Sequence, residues 1–296
     1  MKIAFIGTVE FSKKALKKLI ELDAQVVGVC TKEKSKFNSD FADLTPLCVQ
    51  NKIPFKYIDD INSKENFDWI KSLSPDVIFC FGWSSLLKND VLRLAPMGVL
   101  GYHPSKLPQN RGRHPLIWAI SLGLQQSAST FFFIDKGIDS GEILSQKSFD
   151  ILDSDDAQII YDKFVDKALM QIEEFMPTLK DKTYQTIKQN NDLSNTWRKR
   201  EKTDGQIDFR MSSRAIYNLV RALTKPYVGA HIHYNEEDIS VWKVKIVENN
   251  QINIESGKVL DSNEKAILVK TYDAPKKNPD RKILHKPRVV TFGLDP

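Results

Sequence analysis

Lys2-Ile3-Ala4-Phe5-Ile6-Gly7 is a short apolar run closed by a glycine, and its alternation with the segments after it decides the fold. Phe11–Leu22 sets Leu16, Leu19 and Ile20 at helical spacing, and Val26–Cys30 is again apolar and β-branched. A strand, a helix and a strand in so short a length form a crossover unit, which is right-handed in nearly all proteins. The alternation continues. Pro46–Asn51 reads as a short helix, Pro54–Ile58 as extended chain and Phe67–Leu73 as a helix; Asp76–Phe81 carries the strand Val77-Ile78-Phe79-Cys80-Phe81. The expectation is an α/β protein with a doubly wound, Rossmann-like parallel sheet. Ligands of such sheets sit beyond the carboxyl ends of the strands. Gly7–Phe11, Gly82–Leu87 and Gly101–Pro108 are therefore expected to face one crevice.

The second half reads differently. Ala157–Met176 is one amphipathic helix, expected to stop at Pro177. Asn190–Thr203 is polar and charged, as a linker would be. Beyond it come a helix at Ser213–Leu223 and short β-like runs at His231–Tyr234, Ile239–Val247, Lys258–Leu260 and Ala266–Thr271, a pattern that fits a small barrel-like β domain. The expected domains are residues 1–189 and 204–296.

Composition narrows the class. In 296 residues, 41% hydrophobic and 27% charged, no run approaches the roughly 18 apolar residues of a membrane helix. The apolar start is too short for a signal peptide, so a cytoplasmic protein with no membrane partner is expected. The cysteines, Cys30, Cys48 and Cys80, have no zinc-site spacing, and neither a metal nor a structural disulfide is expected. A net charge of +5 suits a nucleic acid, an anionic substrate or no partner at all. The lysines are scattered, apart from Lys276-Lys277, Arg281-Lys282 and Lys286-Pro287-Arg288.

Three segments carry possible chemistry. Gly7-Thr8-Val9-Glu10-Phe11 is a strand-to-helix turn without G-x-G-x-x-G, so it gives no support to a dinucleotide site. Gly101-Tyr102-His103-Pro104-Ser105-Lys106-Leu107-Pro108 brings a histidine off an apolar strand into a proline-bracketed loop, with the tight turn Arg111-Gly112-Arg113 after it. Phe133-Ile134-Asp135-Lys136-Gly137-Ile138-Asp139-Ser140-Gly141 sets two aspartates in a glycine-punctuated loop. That loop is an ordinary turn, or it supplies a carboxylate that orients His103 for proton transfer.

Together, His103-Pro-Ser-Lys-Leu-Pro108, Arg111-Gly-Arg113 and Asp135-Lys-Gly-Ile-Asp-Ser-Gly141 resemble the folate-dependent formyltransferase family. So do Phe5-Ile-Gly-Thr-Val-Glu-Phe11, Asp204-Gly-Gln-Ile-Asp-Phe209 and Val220-Arg-Ala-Leu-Thr-Lys-Pro-Tyr-Val-Gly-Ala230, in the family's order over nearly the whole chain. The resemblance implies that N10-formyltetrahydrofolate is the formyl donor, without a metal. It implies His103 as the proton-handling residue, Asp139 as its support and Ser105 as a hydrogen-bond donor beside it, or a loop former. The folate ring would lie against Ser85, Leu86 and Leu87 and the loop Asp135, Lys136, Gly137, Ile138 and Asp139, with Arg113 near its polar groups. Trp83 and Phe81 would line that pocket or serve as packing.

One family residue is missing. The asparagine expected two residues before the histidine, a donor to the developing oxyanion, is Gly101. If the glycine merely omits a donor, Gly101→Asn should be neutral or improve turnover; a loss would mean that the vacated space is used. The acceptor implied is a nucleotide-linked amino sugar, a 4-amino-4,6-dideoxyhexose. Lys32–Leu44 mixes three lysines with Glu33, Asp40 and Asp43 instead of forming a basic tRNA-binding loop. Initiator tRNA is the second reading, a folate- or nucleotide-binding protein without turnover the third, and hydrolysis of the formyl folate the fourth. A homodimer would match family habit.

Overall fold

The computed structural model describes residues 1–34, 40–249, 251, 253–263, 266–272 and 288–293. The chain divides into two compact units, one of residues 1–115, 126–150 and 162–198, the other of residues 116–125, 151–161 and 199–296.

The first half runs β1 (Lys2–Ile6), α1 (Glu10–Glu21), β2 (Gln25–Thr31), α2 (Thr45–Gln50), β3 (Phe55–Tyr57), α3 (Lys64–Ser72), β4 (Val77–Cys80), α4 (Asn89–Leu92), β5 (Val99–His103), β6 (Arg111–Gly112), α5 (Pro115–Ser121), β7 (Gln126–Phe133) and β8 (Ile143–Asp150). The main sheet has the order β3-β2-β1-β4-β5-β7-β8. Its first five strands are parallel, as the alternation predicts; β7 and β8 extend it antiparallel.

Strand periodicity assigns the two faces. Ala4, Ile6, Ile78, Cys80 and Val99 point to one face and are buried with Ile70 of α3 and Val91 of α4. On the other face Phe5, Phe79, Phe81, Tyr102 and Phe131 form an aromatic cluster that Phe11 of α1 and Phe175 join. Full burial of one such ring contributes about 1.5–3 kcal/mol. Phe81 is therefore core. Cys30, Cys48 and Cys80 are free and buried.

The long helix α6 (Ala157–Lys180) passes through Pro177 instead of ending there. The buried stripe Phe164, Val165, Ala168, Ile172 and Phe175 continues to Leu179, which is fully buried, so packing carries the last turn past a proline. Asn190–Thr203 departs further from expectation. It holds a 3-10 turn at Asn191–Leu193 and the strand β9 (Thr196–Trp197), which pairs parallel with β6.

The second unit contains α7 (Ser213–Leu223), capped by the Ser212 hydroxyl accepting from Ala215 N. The hairpin β10 (Ala230–Tyr234) and β11 (Glu237–Val241) comes next. Then β12 (Val244–Glu248), β13 (Val259–Asn263), β14 (Ala266–Lys270) and β15 (Arg288–Gly293) form an antiparallel sheet in the order β12-β15-β14-β13. The run Ile239–Val247 is thus two strands, and β15 was not visible in the sequence. Lys276-Lys277, Arg281-Lys282 and Lys286-Pro287 lie outside the described residues, as does the middle of the Lys32–Leu44 loop.

Candidate active site

β5 ends at His103. Val99, Gly101 and His103 share one face of the strand, with Leu100 and Tyr102 on the other. His103 is 5% exposed. Its Nε2 lies 2.8 Å from the carbonyl oxygen of Asn110, which that nitrogen must face as an N–H donor. Its Nδ1 stands 3.6 Å from Oδ2 of Asp139. The Asp139 oxygen also accepts from Gly112 N at 2.8 Å. A proton arriving at Nδ1 would therefore find a carboxylate in front of it, while Nε2–H keeps the ring oriented.

The loop after His103 is bolted in place. Ser105 N donates to His103 O and Leu107 N to Ser105 O. The Ser105 hydroxyl donates to Gln109 O, Thr130 Oγ1 to Ser105 O and Gln146 Nε2 to Leu107 O. Ser105, 1% exposed, holds the turn that presents His103.

The carboxylate arrives by an unusual route. β7 runs antiparallel to β5, with Phe133 opposite Leu100, so the chain leaves β7 at the start of β5. Asp139 nevertheless reaches His103 at the far end of that strand, so the 134–139 loop folds back across the strand's face. Ile134, where the chain leaves β7, is the diagonal cross-strand neighbour of Gly101. A Cβ placed on Gly101 would stand 2.6 Å from Cγ1 and 2.8 Å from Cδ1 of Ile134. The Ile134 side chain therefore occupies the space into which a Cβ at position 101 would point.

The expected folate-facing residues lie on two loops. Arg113 Nη1 donates to Ser84 O at 2.9 Å, and Asn62 ties Leu86 O and Lys88 N, so the Ser85–Leu87 loop is anchored from both sides. Leu86 is 83% exposed and Ile138 57% exposed. Asp135 accepts from Gly137 N and Ser140 Oγ, which makes it the organiser of its own turn. Lys136 and Gly137 are exposed. The Gly7–Phe11 turn is held from within: the Ser12 hydroxyl accepts from Thr8 N and Val9 N and donates to Phe81 O.

Residues from the supposed linker complete the site. Arg111, 8% exposed, donates from Nε and Nη2 to Gln189 Oε1 at 3.2 and 2.8 Å, and from Nη2 to Asn191 Oδ1. Gln189 Nε2 donates to the carbonyls of Asp139 and Gly141 at 2.9 and 2.7 Å. Asn195 Oδ1 accepts from Asn110 N. A side chain at Gly112, φ +97, would run into the Trp197 carbonyl, so this position requires glycine. Among the described residues no cluster of His, Cys, Asp and Glu could hold a metal, and no helix is long and apolar enough to cross a membrane. The second unit has a concavity of about 640 Å³ lined by Gln206, Asp208, Arg210 and His233 among others.

Residues 1–174 match the family model for formyl transferase, and residues 199–275 the model for the formyl transferase C-terminal domain. The chain belongs to the formyl transferase family. Among its relatives, the bifunctional polymyxin resistance protein ArnA of Wigglesworthia glossinidia brevipalpis is 32% identical over 83% of this chain, which spans 38% of that protein. Methionyl-tRNA formyltransferase of Clostridioides difficile is 29% identical over 92% of this chain and 89% of its own length. A solved structure of WlaRD, a sugar 3N-formyl transferase in the presence of dTDP and 5-N-formyl-THF, covers 100% of this chain and 98% of that one, with a TM-score of 0.71 and 19% identity. This formyl transferase has a mainly parallel sheet in the first matched region and a C-terminal domain of strands in the second.

Proposed function

We propose that this formyl transferase moves the formyl group of N10-formyltetrahydrofolate to the amine of a nucleotide-linked amino sugar, with a 4-amino-4,6-dideoxyhexose as the first candidate. The observation that carries the chemistry is the buried His103, donating through Nε2 and presenting Nδ1 towards Asp139. The neutral amine attacks the formyl carbon and forms the new C–N bond. His103 takes the amine proton at Nδ1, and Asp139 stabilises the resulting imidazolium. The tetrahedral intermediate then loses its C–N10 bond, and the proton held by His103 passes to N10 of the departing folate.

The residues present fit the folate. Leu86 and Ile138 offer apolar surface on two loops, and the buried Trp83 Nε1 beside the first loop has no hydrogen-bond partner. Ser85, Leu86, Leu87, Arg113 and Asp135–Asp139 would hold the ring. The acceptor reading is supported by the end-to-end likeness to a sugar 3N-formyl transferase. Initiator-tRNA formylation is the second reading, favoured by tRNA-formylating relatives aligned over nine-tenths of the chain.

The test is turnover of N10-formyltetrahydrofolate with a panel of nucleotide-linked 3- and 4-amino sugars beside charged initiator tRNA. Tetrahydrofolate release with one sugar only supports the proposal. Transfer to tRNA, weakening as salt rises, would replace it with the second reading.

A further inference from the structure

We propose that Gln189, from the segment after the long helix, is a positioning residue that sets Asp139 against His103. The inference rests on the reading of His103 and Asp139 as the proton-handling pair. Gln189 is 6% exposed, and its amide is engaged at both ends. The oxygen receives Nε and Nη2 of Arg111, and the nitrogen donates to Asp139 O and Gly141 O. An amide oxygen has two acceptor sites and an amide nitrogen two protons, so the group is saturated.

These bonds connect two pieces of chain that must keep register. Asp139 sits in a left-handed conformation, φ +49, in a loop that has crossed the face of β5. Its carboxylate is held by the amide of Gly112, the residue next to Arg111. Gln189 therefore grips the Asp139 peptide with one end and the neighbour of its carboxylate's anchor with the other. The same segment holds the opposite side of the imidazole: Asn195 Oδ1 fixes Asn110 N, and the Asn110 carbonyl takes His103 Nε2. Groups two bonds removed from the chemistry set ring orientation in this way when their own geometry is locked.

A plain structural role would be to satisfy the buried guanidinium of Arg111. Gln189→Glu separates the two. It keeps the oxygens that face Arg111, with a charge that favours them, and removes both donors to the Asp139 and Gly141 carbonyls. Gln189→Leu removes both functions. The expected result for Gln189→Glu is a kcat, per folded protein, at least about tenfold below wild type, a KM for the formyl donor changed less than about threefold, and a melting temperature below that of wild type, because the Asp139 and Gly141 carbonyls lose their donors. The 15N resonances of the His103 ring, assigned by their loss in His103→Ala, are expected to move in Gln189→Glu.

Wild-type kcat and unmoved His103 resonances in Gln189→Glu would overturn the proposal. So would a kcat that falls only in step with the folded fraction. If the wild-type protein transfers no formyl group to any acceptor, the ring resonances still decide. Movement then keeps Gln189 as the positioning residue while the transfer reading falls, and no movement removes the positioning role itself.

Discussion

Gly101→Asn tests the site most directly, because the structure reverses the simplest expectation for it. With open space above the glycine, the substitution would restore a donor at no cost. Instead, the new Cβ meets Ile134 Cγ1 at 2.6 Å and Cδ1 at 2.8 Å, with Phe132 Cε1 at 3.3 Å. Cδ1 can swing away about χ2, but Cγ1 moves only by a change of χ1, which is restricted in a β-branched side chain, so Ile134 has to leave its rotamer. Overpacking of this kind costs about 1–3 kcal/mol. At about 2–4 °C per kcal/mol for a unit of this size, the melting temperature should fall by about 2–12 °C. The assay is thermal unfolding of the ligand-free protein, read by circular dichroism, alongside turnover. A well-placed oxyanion donor is worth about 2.7–4 kcal/mol in the transition state. The single variant cannot reach that placement with Ile134 in the way and should turn over more slowly than wild type. In Gly101→Asn/Ile134→Ala the amide has room, and both melting temperature and kcat should rise above those of the single variant. A single variant that melts within 1 °C of wild type, a margin set by about 0.3 kcal/mol, would refute the claim that Ile134 fills the asparagine's place.

His103→Ala should lose at least about a hundredfold in kcat, the usual contribution of a positioned proton acceptor, and near-normal turnover in a kinetic assay would remove His103 from the mechanism. Ser12→Ala should cost about 2–4 kcal/mol in denaturant unfolding, since it leaves two buried amides without their acceptor. Burial pushes the thiols of Cys30, Cys48 and Cys80 up to about 12, because the thiolate is the desolvated form. The native protein should therefore resist iodoacetamide at pH 8 and react fully once unfolded. Because these folded-state values lie above those of the unfolded chain, the stability they confer is complete below about pH 8.5 and is lost as pH rises towards 12; fast labelling at pH 8 without unfolding would contradict the burial.

The centre of the parallel half was legible because β1, β4 and β5 are buried almost throughout and read as apolar runs. The His103 and Asp139 segments were legible as motifs. Less could be read where polar residues do structural work. Gln189, Asn191 and Asn195 gave Asn190–Thr203 and its flank the composition of a solvated linker, yet their amides hold Arg111, Asp139 and Asn110. Composition does not distinguish an amide that faces water from one that is satisfied inside a turn. Pro177 misled for the complementary reason: local propensity opposed the last helical turn, and the burial of Leu179 outweighed it. Ile134 could not be connected to Gly101, because that diagonal contact depends on the antiparallel register of β5 and β7.

The bond from Asn195 to Asn110 spans 85 residues of sequence. During synthesis, β5 and its histidine leave the ribosome well before the segment that orients them. At about 5–20 residues per second, roughly 4–17 seconds separate the two events. The nascent sheet can form in that interval, but the acid–histidine pair waits for the later segment to arrive. A fragment cut at the apparent domain end near residue 189 would keep the residues of the motif and lose their alignment.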